Sequence, residues 1–185
     1  MHDFKGVVYY QTSTWPSHDD LARNEATLVP AFARYLYHEG VFAEIDRLLK
    51  SNEFPNGSYV GHMTLIAICC AIDSAAAFAD GAKRGAHGVQ RRFELFVESY
   101  FPSAYATQKK AMYELLRCDG VHEWYLQRAT ITSVANDPKH LTGSIHISLP
   151  DFFDDVKIAF CAYASALDNE PELRAKFLGR YESVR

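Results

Sequence analysis

The first twenty residues lack the basic start and apolar run of a secretory leader, so the chain is expected in the cytoplasm, without export. It also lacks paired Cys-x-x-Cys spacing: Cys69 and Cys70 are adjacent, and Cys118 and Cys161 stand alone. That pattern predicts reduced, buried thiols rather than a zinc site or a disulfide framework. No Gly-rich phosphate loop, H-E-x-x-H, G-x-S-x-G or EF-hand pattern is present, so the sequence implies no cofactor and no metal. An excess of positive charge is missing too. The net charge of −4 excludes a general polycation that coats nucleic acid or anionic membrane, and confines any nucleic-acid contact to a local patch. Linkers, repeats and low-complexity tracts are absent, and 185 residues suit one domain spanning 1–185. Hydrophobic residues at 48% and charged residues at 23% are the composition of a globular core with a solvated surface.

The longest apolar run, Val60 to Ala79, has the length of a membrane span, yet it is built on alanine and holds His62, Thr64, Asp73 and Ser74. An aspartate at a helix centre costs about 3 kcal/mol on insertion, so the expectation is a central bundle helix and no membrane contact. Residues 1–59 read as a strand near 6–14 followed by two helices over 18–50. Ser17 with Asp20 marks a helix start, Thr27 and Pro30 a break, and 51–59 a loop. Residues 60–125 read as the core helices, with a glycine loop at ADGAKRGAHG (79–88), a helix ended by Pro102, and one long helix from Ser103 to Arg117 that Gly120 stops. Period-two alternation at 129–134 and 144–149 around the polar NDPKHLTG predicts a β-hairpin within 126–148. Residues 149–185 read as C-terminal helices, opened by Ser148 and restarted at Pro171. The fold class is mainly α, an up-and-down helical bundle with a small β-hairpin insertion.

One constellation carries chemistry: Arg117-Cys-Asp-Gly-Val-His122. Histidine moves protons near neutral pH, and arginine is a permanent forked cation that suits phosphate. Cleavage of a phosphodiester needs both, at the exchanging oxygens and against the developing charge. The same residues also read structurally, with Arg117 complementing a helix C-terminus and Asp119 pairing with it locally. The stretch 81–120 carries seven basic residues (Lys83, Arg84, Arg91, Arg92, Lys109, Lys110, Arg117) against Glu94, Glu98, Glu114 and Asp119, which makes it the local basic surface. Lys83, Arg84, Arg91, Arg92, Lys109 and Lys110 are therefore candidate substrate contacts, or else a solvated helix face. Asp73 is expected to be hydrogen-bonded in the core or to be an electrostatic partner in a site. His140 and His146 have no acidic partner at ligand spacing.

The order AICCAIDSAAAFADG, FELFVESYFP, YATQKKAMYELLRCDGVHEW resembles the bacterial HEPN-like proteins. The shared features are a Cys-x-x-Ile-Asp helix (Cys69 to Asp73), a Phe-x-x-Phe-x-x-x-Tyr-Phe helix (Phe93 to Phe101), and a Tyr-x-x-x-Arg ending with glycine, a hydrophobe and His122. The likeness covers about 60–125 and, more loosely, 149–182. It implies a helical bundle that forms a homodimer with paired Arg/His motifs in one cleft. In active members it implies metal-independent endoribonuclease action on RNA, with His122 as the proton-transfer residue and Arg117 as the phosphate cation. Ribonuclease members usually place a polar residue after the arginine, where this chain has Cys118. The alternative is a catalytically silent module that dimerises and binds RNA, nucleotide or a protein partner such as an antitoxin.

Overall fold

The computed structural model describes residues 15–50, 58–83, 85–123, 126, 129–142 and 144–184, with the backbone alone at 58–60 and 120–123. The strand expected near 6–14, most of the 51–59 loop and Arg84 lie outside the described residues. The chain is mainly helical. Helix α1 (His18–Arg23) starts where expected: the Ser17 hydroxyl accepts from the Asp20 amide at 3.0 Å, and Asp19 and Asp20 favour the positive end of the helix. The break then falls at Asn24, not at Thr27 and Pro30. Helix α2 (Glu25–Arg34) runs straight through the buried Pro30. Packing overrides the local cost of proline there, with Val29, Phe32 and Ala33 all buried. A π-helical segment, Tyr35–Val41, passes the chain into α3 (Phe42–Lys50).

Helix α4 (Ser58–Asp80) is the centre of the fold, and α3, α5, α8, α9 and a second π-helix all pack on it. Its sequence explains the position: Leu65, Ile68, Ala71, Ile72, Ala75 and Ala76 are buried on several faces, which small residues allow neighbouring helices to approach closely. The Gly61–Asp80 stretch is long and apolar enough to cross a membrane by length and composition alone, and more than half of it is buried inside the fold. Helix α5 (Val89–Tyr100) presents Phe93, Phe96 and Val97 inward. The single helix expected over 103–117 is instead three pieces: α6 (Ser103–Ala106), α7 (Lys109–Ala111), and a π-helix from Met112 to Glu123. Gly120 does not stop it. The expected inner face is nonetheless present, with Tyr105, Met112, Leu115 and Leu116 all buried.

The β-hairpin is corrected by the structure. Strands β1 (Ala129–Thr132) and β2 (Ile145–Ser148) pair in parallel, in the register Ala129 to Ile145. Parallel neighbours need a crossover of about a dozen residues, and 133–144 supplies it. Within that crossover, Asn136 takes a left-handed φ of 60°, and His140 exchanges both backbone hydrogen bonds with His146 at 2.9 and 2.8 Å. The chain therefore does run antiparallel to β2, but at one residue only. Alternation had marked two strands without fixing their direction.

Helix α8 (Leu149–Asn169) is capped by Ser148, whose hydroxyl accepts from the Asp151 amide at 3.3 Å. Its stripe Phe152, Val156, Phe160, Tyr163, Leu167 is buried, as the i+4 spacing predicts. Phe160 is the hub of an aromatic cluster, with ring centroids 4.5 Å from Tyr37, 4.8 Å from Phe42 and 5.5 Å from Phe96. Helix α9 (Pro171–Val184) packs on α4 and α2. The Tyr181 hydroxyl donates to the Pro16 carbonyl at 2.6 Å, and the Tyr181 ring stacks on Trp15.

Candidate functional site

Asp73 and Arg117 stand 44 residues apart in sequence and meet at the contact between α4 and the second π-helix. The Arg117 Nε donates to Asp73 Oδ2 at 2.7 Å, with the side chains only 17 and 19% exposed. The guanidinium carbon sits 5.5 Å from the centroid of the Tyr113 ring, which in turn packs edge-on against Phe93. Burial works to lower the Arg117 pKa, but the hydrogen bond and charge of Asp73 outweigh it and raise it above its ordinary value. The pair thus fixes a permanent cation between two helices. Removing one member leaves the other charged and poorly solvated, which costs several kcal/mol when burial is complete. Asp73→Ala is expected to cost about 3 kcal/mol here, the low end for a pair that keeps some solvent contact, and to lower the melting temperature by roughly 6–12 °C. Calorimetry on Asp73→Ala, Arg117→Ala and the double variant checks it: a double variant no more stable than the sum of the singles would mean the two do not interact.

Three thiols surround this pair. Burial, and then the Asp73 charge, raise the pKa of both Cys69 and Cys70, while Cys118 is within hydrogen-bonding reach of Arg117 and Tyr113. The expectation of buried cysteines holds for Cys69 alone. Cys118 is half-buried, and Cys70 and Cys161 are exposed, Cys161 with its sulfur 3.8 Å from His38 Nε2. All four are free thiols. A disulfide reagent at neutral pH is therefore expected to modify Cys161 first, Cys70 next, and Cys69 only on unfolding. Mass spectrometry of timed digests reads the order, and early labelling of Cys69 would contradict the packing of α4.

The other predicted residues divide. The backbone of His122 belongs to the same π-helix as Arg117, and its side chain lies outside the described residues. An i→i+5 helix links each residue to the one five further on through a backbone hydrogen bond. The backbone at position 122 therefore lies one i→i+5 turn along the same π-helix from position 117. Lys109 pairs with Glu98 at 2.5 Å and Lys110 with Glu114 at 3.8 Å, so both charges are engaged by neighbouring carboxylates. Arg92 donates from its guanidinium to the carbonyls of His87 and Ala86 at 2.6 and 3.3 Å, tying down the glycine loop. Lys83 and Arg91 are exposed.

Sequence reasoning missed a second polar assembly. Asp137, Asp151, Asp154 and Asp155 line a cleft of about 400 Å³ at the start of α8. There Lys139 Nζ contacts Asp155 Oδ2 at 2.6 Å and lies 4.6 Å from the Tyr105 ring centroid, and Tyr105 donates to the same carboxylate at 2.5 Å. His146 Nε2 lies 2.8 Å from Asp137 Oδ2, the acidic partner that sequence spacing did not show. No group of three or more His, Cys, Asp or Glu among the described residues is arranged to hold a metal ion. Comparison of the chain with protein-family models, curated proteins and solved structures finds no match.

Proposed function

We propose that this chain is a HEPN-like endoribonuclease that cleaves RNA phosphodiesters without a metal, acting as a homodimer in the cytoplasm. The observation that carries the reading is the immobilised Arg117: a guanidinium fixed by Asp73 and flanked by Tyr113, in the helical turn beneath position 122. In the proposed reaction the RNA 2′-hydroxyl loses its proton and attacks the adjacent phosphorus. The bond from phosphorus to the 5′-oxygen breaks, and that oxygen takes up a proton. The products are a 2′,3′-cyclic phosphate and a 5′-hydroxyl. His122 moves the protons, and Arg117 steadies the charge that builds on the phosphorane. Asp73 does not touch the substrate in this scheme. It orients the guanidinium and keeps it from swinging away.

Lys83 and Arg91 supply exposed charge for the flanking phosphates. A second reading, the silent module that binds RNA, nucleotide or a protein partner such as an antitoxin, is favoured by two features. Cys118 stands where active relatives carry a polar side chain, and the Arg117 guanidinium is already engaged by a carboxylate. The experiment that separates them incubates the purified chain with single-stranded RNA in EDTA. Cleavage with cyclic-phosphate ends, and none of a DNA strand of the same sequence, is the expected result. RNA left intact both with and without EDTA makes the silent module the correct reading.

A further inference from the structure

Where the end of α4 meets α5 and α9, a groove of about 240 Å³ combines an apolar lining with charges of both signs. Ala76 and Ala79 of α4 line it with Leu95, Phe96 and Ser99 of α5 and Leu173 of α9, and from α4 no side chain longer than a methyl joins the lining until Asp80. The half-buried Tyr100 ring forms one wall, held by a tilted contact to Phe96 at 4.9 Å and an edge contact to Tyr163 at 5.3 Å. On the rim stand Asp80, Glu170, Arg92 and Lys176. Asp80, Glu170 and Lys176 make no ion pair with any described residue, although opposite charges face one groove. Burial, and then the charge of Glu170, raise the pKa of the Tyr100 hydroxyl. Gly81 locks the geometry. Its φ of 72° ends α4, and a Cβ there would meet the Lys176 backbone at 3.1 Å, so α4 and α9 are in direct backbone contact beside the groove.

We propose that this groove is a subsite for one guanine nucleotide. The source of that nucleotide rests on the RNA reading above; the chemistry of the pocket does not. A shallow slot with an apolar lining and a fixed aromatic wall accepts a planar base, since any base offers a π-face to stack. The volume falls below the roughly 300 Å³ at which larger ligands begin to fit, which limits the slot to a single base. The rim then selects among bases. Its two carboxylates are pure acceptors, Ser99 adds one hydroxyl that can donate or accept, and no asparagine or glutamine lines the groove. Guanine presents two adjacent donors, N1–H and the N2 amino group, on its pairing edge. Cytosine presents only its N4 amino group there, adenine only N6, and uracil only N3–H. Glu170 and Asp80 therefore favour guanine. Lys176 sits on the same rim as a point charge for the 5′-phosphate, while Arg92, already committed to two carbonyls, adds a fixed positive field.

The test titrates guanosine, adenosine, cytidine and uridine 5′-monophosphates into the full chain by isothermal calorimetry in EDTA. Guanosine monophosphate is expected to bind at least about tenfold more tightly than the other three, a difference the size of one charge-assisted hydrogen bond. Glu170→Gln and Lys176→Ala, both at exposed positions, are each expected to weaken it by about fivefold or more. Four equal affinities, no binding at all, or full binding in both variants would overturn the subsite. A chain that binds guanosine monophosphate with this pattern but leaves RNA intact keeps the subsite and removes the cleavage reading. A chain that cuts RNA without binding the nucleotide does the reverse.

Discussion

His122→Ala is expected to slow cleavage of single-stranded RNA by about 10²–10⁴-fold, the usual contribution of a positioned proton-transfer group. On the catalytic reading the melting temperature should move by no more than a few degrees, the usual range for a substitution outside the core. Arg117→Ala should lose a comparable rate for a different reason and leave a different trace. It removes the cation that opposes phosphorane charge, and it also breaks the half-buried ion pair with Asp73, so its melting temperature falls together with its activity. The two variants are thus separable by calorimetry even where both are inactive. Arg117→Lys sharpens the contrast: a lysine keeps the charge but not the planar fork, and should recover stability more fully than rate. Unfolding of His122→Ala at ordinary temperature would make the histidine a structural residue and end the catalytic assignment.

The second large effect is in the core. Phe160→Ala is expected to destabilise the chain by about 4 kcal/mol, equivalent to roughly 8–16 °C in melting temperature. The reason is the number of elements that one ring joins. Phe160 belongs to α8, yet its edge and face contacts reach Tyr37 of the first π-helical segment, Phe42 of α3 and Phe96 of α5. Removing it opens a cavity whose walls belong to four separate elements, and such walls relax poorly. Ile158, two residues away and 57% exposed, is the control, and Ile158→Ala should stay within about 0.5 kcal/mol. Similar losses at the two positions would mean that the α8 register is wrong.

Local signals in the sequence were legible wherever one short segment carried the whole cause. Ser17 and Ser148 announce their helices because a cap is made within three residues. The Phe152 to Leu167 stripe announces a buried face because i+4 spacing is a property of one helix. What the sequence hid was set by partners elsewhere in the chain. Pro30 reads as a breaker, but α8 and α9 pack on α2 and hold it through the proline. Alternation at 129–134 and 144–149 identifies strands, while their parallel sense depends on the path of 133–144, to which a period of two is blind. Within the candidate site, Arg117 and His122 were visible as residue types, but the π-helical backbone that carries both positions is not encoded in their spacing. Asp73 as the arginine's partner, 44 residues back, was open to the sequence only as one of two alternatives.

The bond between Tyr181 and the Pro16 carbonyl has a consequence for how the chain comes to be made. The two residues are 165 positions apart, so the ribosome needs on the order of 8–33 s to deliver the second after the first. Until α9 emerges, Trp15 and Phe32 have no Tyr181 to pack on and the flank of α4 that Phe177 covers through Phe78 stays open. The first helices therefore wait as a sticky, incomplete layer throughout synthesis. A nascent chain halted anywhere before α9 should be a ready client for chaperones, and slower translation should lengthen that exposure rather than ease it.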